Sequence, residues 1–127
     1  MPLQALCVNV GGRASDRIPL VLEQHAGMDV YCFLETMWQD GGWGELDFGG
    51  YFAYHCTRPA PLVAGRGRPS GGITVLVSEV SPLAASPLRV KMDATAGIAT
   101  IASDVFAFTM VCCYFAPPNS AVYQHGL

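Results

Sequence analysis

Residues 3–10 (LQALCVNV), 16–27 (DRIPLVLEQHAG) and 29–34 (DVYCFL) decide the fold. The first is a continuous apolar run halted by Gly11-Gly12, the pattern of a buried strand that empties into a loop. In the second, Asp16 and Pro19 suit a first helical turn, Ile18, Val21, Leu22 and Ala26 recur at helical spacing, and Gly27 is a stop signal. The third is another apolar strand, and Glu35 stands at its end. Strand, helix and strand in succession form a β-α-β unit, which normally joins two parallel strands by a right-handed crossover.

Beyond this unit the pattern changes. Residues 36–50 (TMWQDGGWGELDFGG) hold five glycines and both tryptophans, and read as a loop. Residues 51–56 (YFAYHC) read as a strand, and 57–70 (TRPAPLVAGRGRPS) as a basic loop rich in Pro and Gly. Then come short β-rich runs at 72–77, 88–92, 97–102 and 105–115, with a Pro-punctuated linker at 79–87 and Ser103-Asp104 as a hairpin turn. An antiparallel meander follows from that rhythm. The expected fold class is therefore α/β (α+β), mostly antiparallel sheet with an initial β-α-β unit, in a single domain spanning 1–127.

The 127 residues are 51% hydrophobic and 13% charged, which excludes a disordered chain. Charged, Gly or Pro residues break every apolar run before the ~18 residues a spanning helix needs, and no secretory leader pattern opens the sequence. An intracellular protein without a membrane segment is expected. A net charge of −3 argues against nucleic-acid binding by bulk electrostatics. The charges are nevertheless segregated. Residues 1–50 set two arginines against seven carboxylates, whereas residues 51–92 set Arg58, Arg66, Arg68, Arg89 and Lys91 against Glu79 alone. That division suits a cation site beside a polyanion site, and equally suits solvated loops.

Five cysteines without C-x-x-C spacing read as small buried hydrophobes in a reducing compartment. Cys112 and Cys113 adjoin in a strand and point to opposite faces, so that pair cannot share a metal, and a zinc site is not expected. His25, His55 and His125 lack ligand spacing and read as surface or half-buried polar residues.

Three residues stand where strands end, the usual position of sites in layered α/β proteins: Asn9, Glu35 and Tyr114. Each also fits a plain role, as turn former, solvated carboxylate or packing ring. Arg58, Arg66 and Arg68 could clamp a phosphate backbone, and Trp38 and Trp43 could stack on a base or sugar. Their alternative roles are to solubilise a loop and to cover a sheet edge.

Taken in order, these strings resemble the endonuclease/exonuclease/phosphatase superfamily. CVNVGG (7–12) is similar to that family's first motif, which would make Asn9 its asparagine. DVYCFLET (29–36) resembles the second, whose glutamate binds metal, so Glu35 would take that role, with Thr36 following and Asp29 fitting the strand start. RGRPSGGITVLVS (66–78) resembles the basic, Gly-Gly segment that leads into a strand. YFAPPNS (114–120) is similar to the Tyr-x-Pro-Asn segment, making Tyr114 the phosphate-contacting tyrosine and Asn119 the segment's asparagine. The glycine-rich first motif and the Pro-Pro-Asn-Ser variant look most like the amino-terminal endonucleases of non-LTR retrotransposons.

The resemblance implies a four-layer α/β sandwich, a Mg²⁺ (or Mn²⁺) cofactor, a DNA substrate and a nuclear location. Such chemistry needs a hard carboxylate to hold the metal, a base to position water, and neutral donors for the phosphate oxygens. Glu35, Asn9 and Tyr114 would meet part of that need, with Asn119, Arg66 and Arg68 on the substrate. Departures exist: Cys7-Val8 replaces an aromatic position, and Leu34 replaces the glutamine before the glutamate. The family's later Gly-Asp-x-Asn and terminal Ser-Asp-His strings do not occur in these residues. Ser103-Asp104-Val105 precedes Tyr114 and lacks the histidine. The expectation is the first part of a truncated domain, catalytically dead or nearly so alone, with an uncovered sheet face prone to self-association. Three alternatives remain open: a small-molecule or lipid phosphoesterase of the same superfamily, a non-catalytic remnant or binding module, and a simple α/β domain whose motif matches are accidental.

Overall fold

A computed structural model describes residues 3–38, 46–57, 71–85, 87–93, 97–103 and 108–113. In chain order these form β1 (Ala5–Asn9), α1 (Ala14–Gln24), β2 (Val30–Leu34), β3 (Tyr51–Cys56), β4 (Ile73–Ser78), a 3-10 turn (Pro82–Ala85), β5 (Leu88–Asp93), β6 (Ile98–Ser103) and β7 (Phe108–Cys113). The fold is α+β with two sheets, ordered β1-β2-β4-β3 and β5-β6-β7.

The opening β-α-β unit forms as its sequence dictates, with β1 and β2 paired in parallel from Ala5↔Val30 to Asn9↔Leu34. The helix starts earlier than Asp16, however. Arg13 occupies the N-cap without a side-chain cap, and its carbonyl accepts from Asp16 N (3.2 Å) and Arg17 N (2.8 Å). Pro19 therefore lies inside the helix rather than in its first turn, where its missing N–H deprives the carbonyl of exposed Ser15 of its i+4 donor. Ala14 and Ile18 are buried and Val21 and Leu22 half-buried, an i, i+4, i+7, i+8 stripe. Ala26 lies past the last turn and is exposed, and Gly27 takes a φ of +90° that permits the reversal into β2.

Every residue of β2 is buried, because both its faces are covered. Tyr31 and Phe33 join Val10, Ala14, Ile18 and Leu76 in the core beneath α1. Val30, Cys32 and Leu34 share the opposite core with Val75 and Val77 of β4 and with Ala99, Ile101 and Cys112 of the second sheet. A strand buried on both sides needs an uninterrupted apolar run rather than an alternating one, which is what VYCFL supplies. Burying each such side chain contributes about 1.5–3 kcal/mol. The Tyr31 and Phe33 rings lie nearly parallel with centroids 6.0 Å apart, and Tyr51 meets Tyr31 edge-on at 5.8 Å. The Tyr31 hydroxyl donates to the His25 carbonyl at 2.7 Å, so the one polar atom of this ring is satisfied where the helix ends.

The first sheet is not a simple meander. β4 inserts between β2 and β3, antiparallel to both. Its ITVLV run is buried throughout and suits the centre, whereas β3 exposes Phe52 and Ala53 and suits the edge. The expected meander over 72–115 holds for its last three strands, antiparallel with registers Leu88↔Ser103 and Ser103↔Phe108, whereas its first, β4, belongs to the other sheet. The inner face of the second sheet carries Val90, Met92, Ile101 and Cys112, while Arg89, Lys91, Ile98 and Val111 are exposed. The Cys56 thiol donates to the Met92 carbonyl at 3.7 Å, joining β3 to β5 across the layers, and Leu83 of the 3-10 turn is buried in the same core. Helix, mixed sheet and antiparallel sheet thus succeed one another; no second α-helix occurs among the described residues. None of their helices is long and apolar enough to cross a membrane.

Candidate functional site

The carboxyl ends of β1 and β2 and the amino end of β4 meet at one sheet edge, since Asn9 is in register with Leu34 and Leu34 with Ile73. Backbone hydrogen bonds lock the loops that leave this edge. Val10 N donates to Leu34 O at 2.9 Å and Gly12 N to Glu35 O at 2.8 Å, while Thr36 N and Met37 N donate to Gly72 O and Gly71 O at 3.2 and 2.9 Å. The Gly11-Gly12 and Gly71-Gly72 pairs therefore grip the segment 35–37 from both sides.

That grip holds Glu35 and Met37 in left-handed backbone, with φ of 55° and 56°. Neither residue type favours this region, and holding one there costs about 1–3 kcal/mol unless the surroundings enforce it. The surroundings are tight. Gly72 has a φ of +85°, and a Cβ there would stand 2.5 Å from Thr36 Oγ1; a Cβ on Gly12 would overlap the Met37 sulfur. Glu35 is half-buried at the mouth of this turn.

Asn9 is exposed, and its Oδ1 accepts from Gly11 N at 2.9 Å. The amide thus shapes the turn with its oxygen, the turn-former role read from the sequence, while its N–H₂ is not engaged by that bond. Asp29 acts structurally. Its Oδ2 accepts from Gln4 N at 2.8 Å, and its backbone pairs with Gln4 and Ser78, fixing the entry to β2. Trp38 packs half-buried against the core under α1 and meets His55 edge-on at 6.1 Å, so it covers the sheet as its alternative role required. His55 shares a 2.8 Å hydrogen bond with Thr74 Oγ1, and burial lowers its pKa from the ordinary value.

Strand directions bring a further chain end to this edge. β3 runs parallel to β2 through their common partner β4, and its last residue, Cys56, meets Met92 near the end of β5. β7 runs in the sense of β5, so it too ends on this side, at Cys113. Tyr114 and Asn119 lie outside the described residues, as do Arg58, Arg66, Arg68, Trp43 and His125.

One cluster departs from the sequence reading. Cys7, Cys32 and Cys112 bring their sulfurs within 4.8 Å of one another. Cys112 is buried and Cys113 exposed, so this adjacent pair indeed points to opposite faces and cannot share a metal. Its exclusion left open a set drawn from three separate strands; the reading of the cysteines as small buried hydrophobes holds for Cys32 and Cys112, whereas Cys7 and Cys113 are exposed and Cys56 is half-buried. Parallel register could have paired Cys7 with Cys32, since each lies two residues before the matched ends Asn9 and Leu34. Cys112 comes from the opposing sheet and left no signal at all. Hydrogen bonds with Cys112 and Cys32 pull the Cys7 thiol down to about 3, while bonds with Cys112 and Cys7, together with burial, push Cys32 upward. For Cys112 the bond with Cys32 is lowering, but its bond with Cys7, burial and the nearby charges prevail and raise it to about 12.

No protein-family model matches this chain, and no curated protein matches it.

Proposed function

We propose that this chain is the N-terminal portion of a metal-dependent phosphodiesterase domain of the endonuclease/exonuclease/phosphatase type, acting on DNA in the manner of retrotransposon endonucleases. The observation that carries the reading is the strained backbone at Glu35: a half-buried carboxylate at the end of the central strand, held at positive φ by two glycine pairs. Strain of that kind persists where a side chain must be aimed against its local preference, and it collects at catalytic positions. Glu35 is a hard oxygen donor. Mg²⁺ is commonly held by one or two carboxylates, several waters and substrate phosphate oxygens, so a single protein carboxylate at an open sheet edge fits that ion, or Mn²⁺. Bound there, the ion would supply charge neutralisation at the phosphate.

The chain's own residues have separable roles. Glu35 holds the ion at a fixed point, and the Asn9 amide donates toward a phosphate oxygen while its carbonyl fixes the turn. Tyr114 and Asn119, in the segment that follows the end of β7, would donate to the substrate, and Arg66 and Arg68 would neutralise the backbone. No residue in this set is a general base, and the absence of one costs ~10²- to 10⁴-fold in rate. These residues are therefore a binding and positioning half-site with little or no turnover of their own. A nuclear location accompanies the DNA reading. Exposed Ile98 and Val111, on the outer face of the second sheet, support a further layer or self-association there.

Mn²⁺ binding, followed by water-proton relaxation, tests the reading. Glu35→Gln keeps the shape and removes the charge, and is expected to weaken Mn²⁺ at least ~10-fold without lowering the unfolding midpoint. Unchanged affinity would sink the proposal. Competition for the loaded protein between nicked duplex DNA and inositol phosphates separates a DNA substrate from a small phosphoester.

A further inference from the structure

We propose that Cys7, Cys32 and Cys112 form a second metal site, distinct in chemistry from the Glu35 edge: a three-thiolate site for a thiophilic divalent d¹⁰ ion of the zinc class. It would act as a staple between the two sheets.

The geometry is that of a ligand set. Cys7 and Cys32 are direct partners in the parallel β1–β2 ladder, and Cys112 belongs to β7 in the opposing sheet. Three sulfurs mutually within 4.8 Å surround one point. With Zn–S bonds of about 2.3 Å, tetrahedral coordination sets sulfurs about 3.8 Å apart, so closing on an ion requires only rotamer-scale adjustment. The strands that carry the ligands are rigid. Cys32 is fully buried and Cys112 is 4% exposed, and both belong to the apolar core with Val75, Ala99 and Ile101. Cys7 is exposed, which gives the site one open side. Entry and a fourth ligand, water, fit on that side alone.

The ligand type follows from the donors. Three sulfurs with no carboxylate or imidazole in the set favour soft ions over Mg²⁺ or Ca²⁺. Charge selects the valence. Three free thiolates in an apolar core would be strongly repelled, and a divalent ion reduces their charge to −1, whereas a monovalent ion leaves −2. The exchange balances simply: M²⁺ enters, each thiol that carries a proton releases it to solvent, three metal–sulfur bonds form, and no electron is transferred.

The location gives the ion its role. Among the described residues, β1 and β7 are each terminal in their sheet orders. Away from the β3–β5 end, where Cys56 meets Met92, the layers are held by apolar contact. A metal joining Cys7 and Cys32 to Cys112 would tie the layers toward their other end, at the terminal strands β1 and β7.

Cd²⁺ serves as the spectroscopic probe. The full chain, purified with reductant, is titrated with Cd²⁺ and then Zn²⁺ in competition, following the ultraviolet thiolate-to-cadmium charge-transfer band and the melting temperature. One equivalent is expected to saturate the band and raise the melting temperature. Cys7→Ser lies at an exposed strand position and is expected to weaken binding by more than the ~100-fold that even an outer-shell change costs. Cys112→Ala provides a second removal, and Cys113→Ser, one position away on the other face, is expected to bind as the parent does. Loss of the band in Cys113→Ser equal to that in Cys7→Ser would overturn the proposal. So would a protein that yields a Cys7–Cys32 or Cys32–Cys112 disulfide on mild oxidation but no saturable cadmium band when reduced.

Discussion

Replacing Gly72 by alanine tests the packing that holds Glu35 in place. Two costs can be worked from the structure. Gly72 has a φ of +85°, and left-handed backbone costs a residue with a Cβ about 1–2 kcal/mol relative to glycine. The added Cβ would also stand 2.5 Å from Thr36 Oγ1 and 3.2 Å from the Met37 nitrogen. Thr36 is buried and its N–H is tied to Gly72 O, so it has little freedom to withdraw, and such overpacking typically costs about 1–3 kcal/mol. The expected total is about 2–5 kcal/mol, the sum of those two ranges. Gly50 supplies the control, because it has a φ of +89° but nothing within 4 Å of its Cβ position. Gly50→Ala should lose only the backbone part. Urea unfolding at constant m-value measures both. Adding Thr36→Ala to Gly72→Ala removes the obstructing oxygen and should recover about 1 kcal/mol as a coupling in a double-mutant cycle. If Gly72→Ala proves no more destabilising than Gly50→Ala, the tight enclosure of segment 35–37 is wrong. The structural support for Glu35 as a specially held carboxylate would then fail with it.

Two further perturbations check the rest of the core. His55 has a folded pKa below its ordinary 6.5 because it is partly buried, so the unfolded chain binds a proton more readily. The His55 contribution to stability should therefore be flat above pH 6.5 and fall as pH drops through 6.5 toward the lowered value; His55→Gln should remove that part of the slope in urea titrations at several pH values, and an unaltered slope would assign the effect elsewhere. Tyr31→Phe keeps the stacked ring but removes the hydroxyl that donates to His25 O at 2.7 Å and accepts from Met28 N at 3.4 Å. A loss of about 1–2 kcal/mol is expected, with faster hydrogen exchange at the Met28 amide; unchanged exchange would mean that water replaces the bond at no cost.

How far the sequence revealed the site can be judged residue by residue. The positions of Asn9 and Glu35 at neighbouring strand ends followed from one β-α-β unit, because apolar runs and glycine stops are local signals. The left-handed turn at Glu35 was not legible, since nothing in LETM distinguishes it; the constraint comes from Gly71-Gly72, far along the chain. Trp38 could be read as a stacking ring or as a cover, and only its contact with His55 decided for the cover.

The sequence by itself determined the fold class, the strand positions to within a few residues, the parallel opening pair and the polar edge. All of these depend on the period of hydrophobicity and on the conformational limits of Gly and Pro, which act within a few residues. Tertiary structure decided that β4 enters between β2 and β3, that Pro19 sits inside the helix, and that Cys7, Cys32 and Cys112 meet. Those outcomes depend on which faces must be buried together. Two buried faces on β2 and β4 place both strands at the centre of the sheet, and a second sheet packed across them carries Cys112 to a partner eighty residues away in the chain.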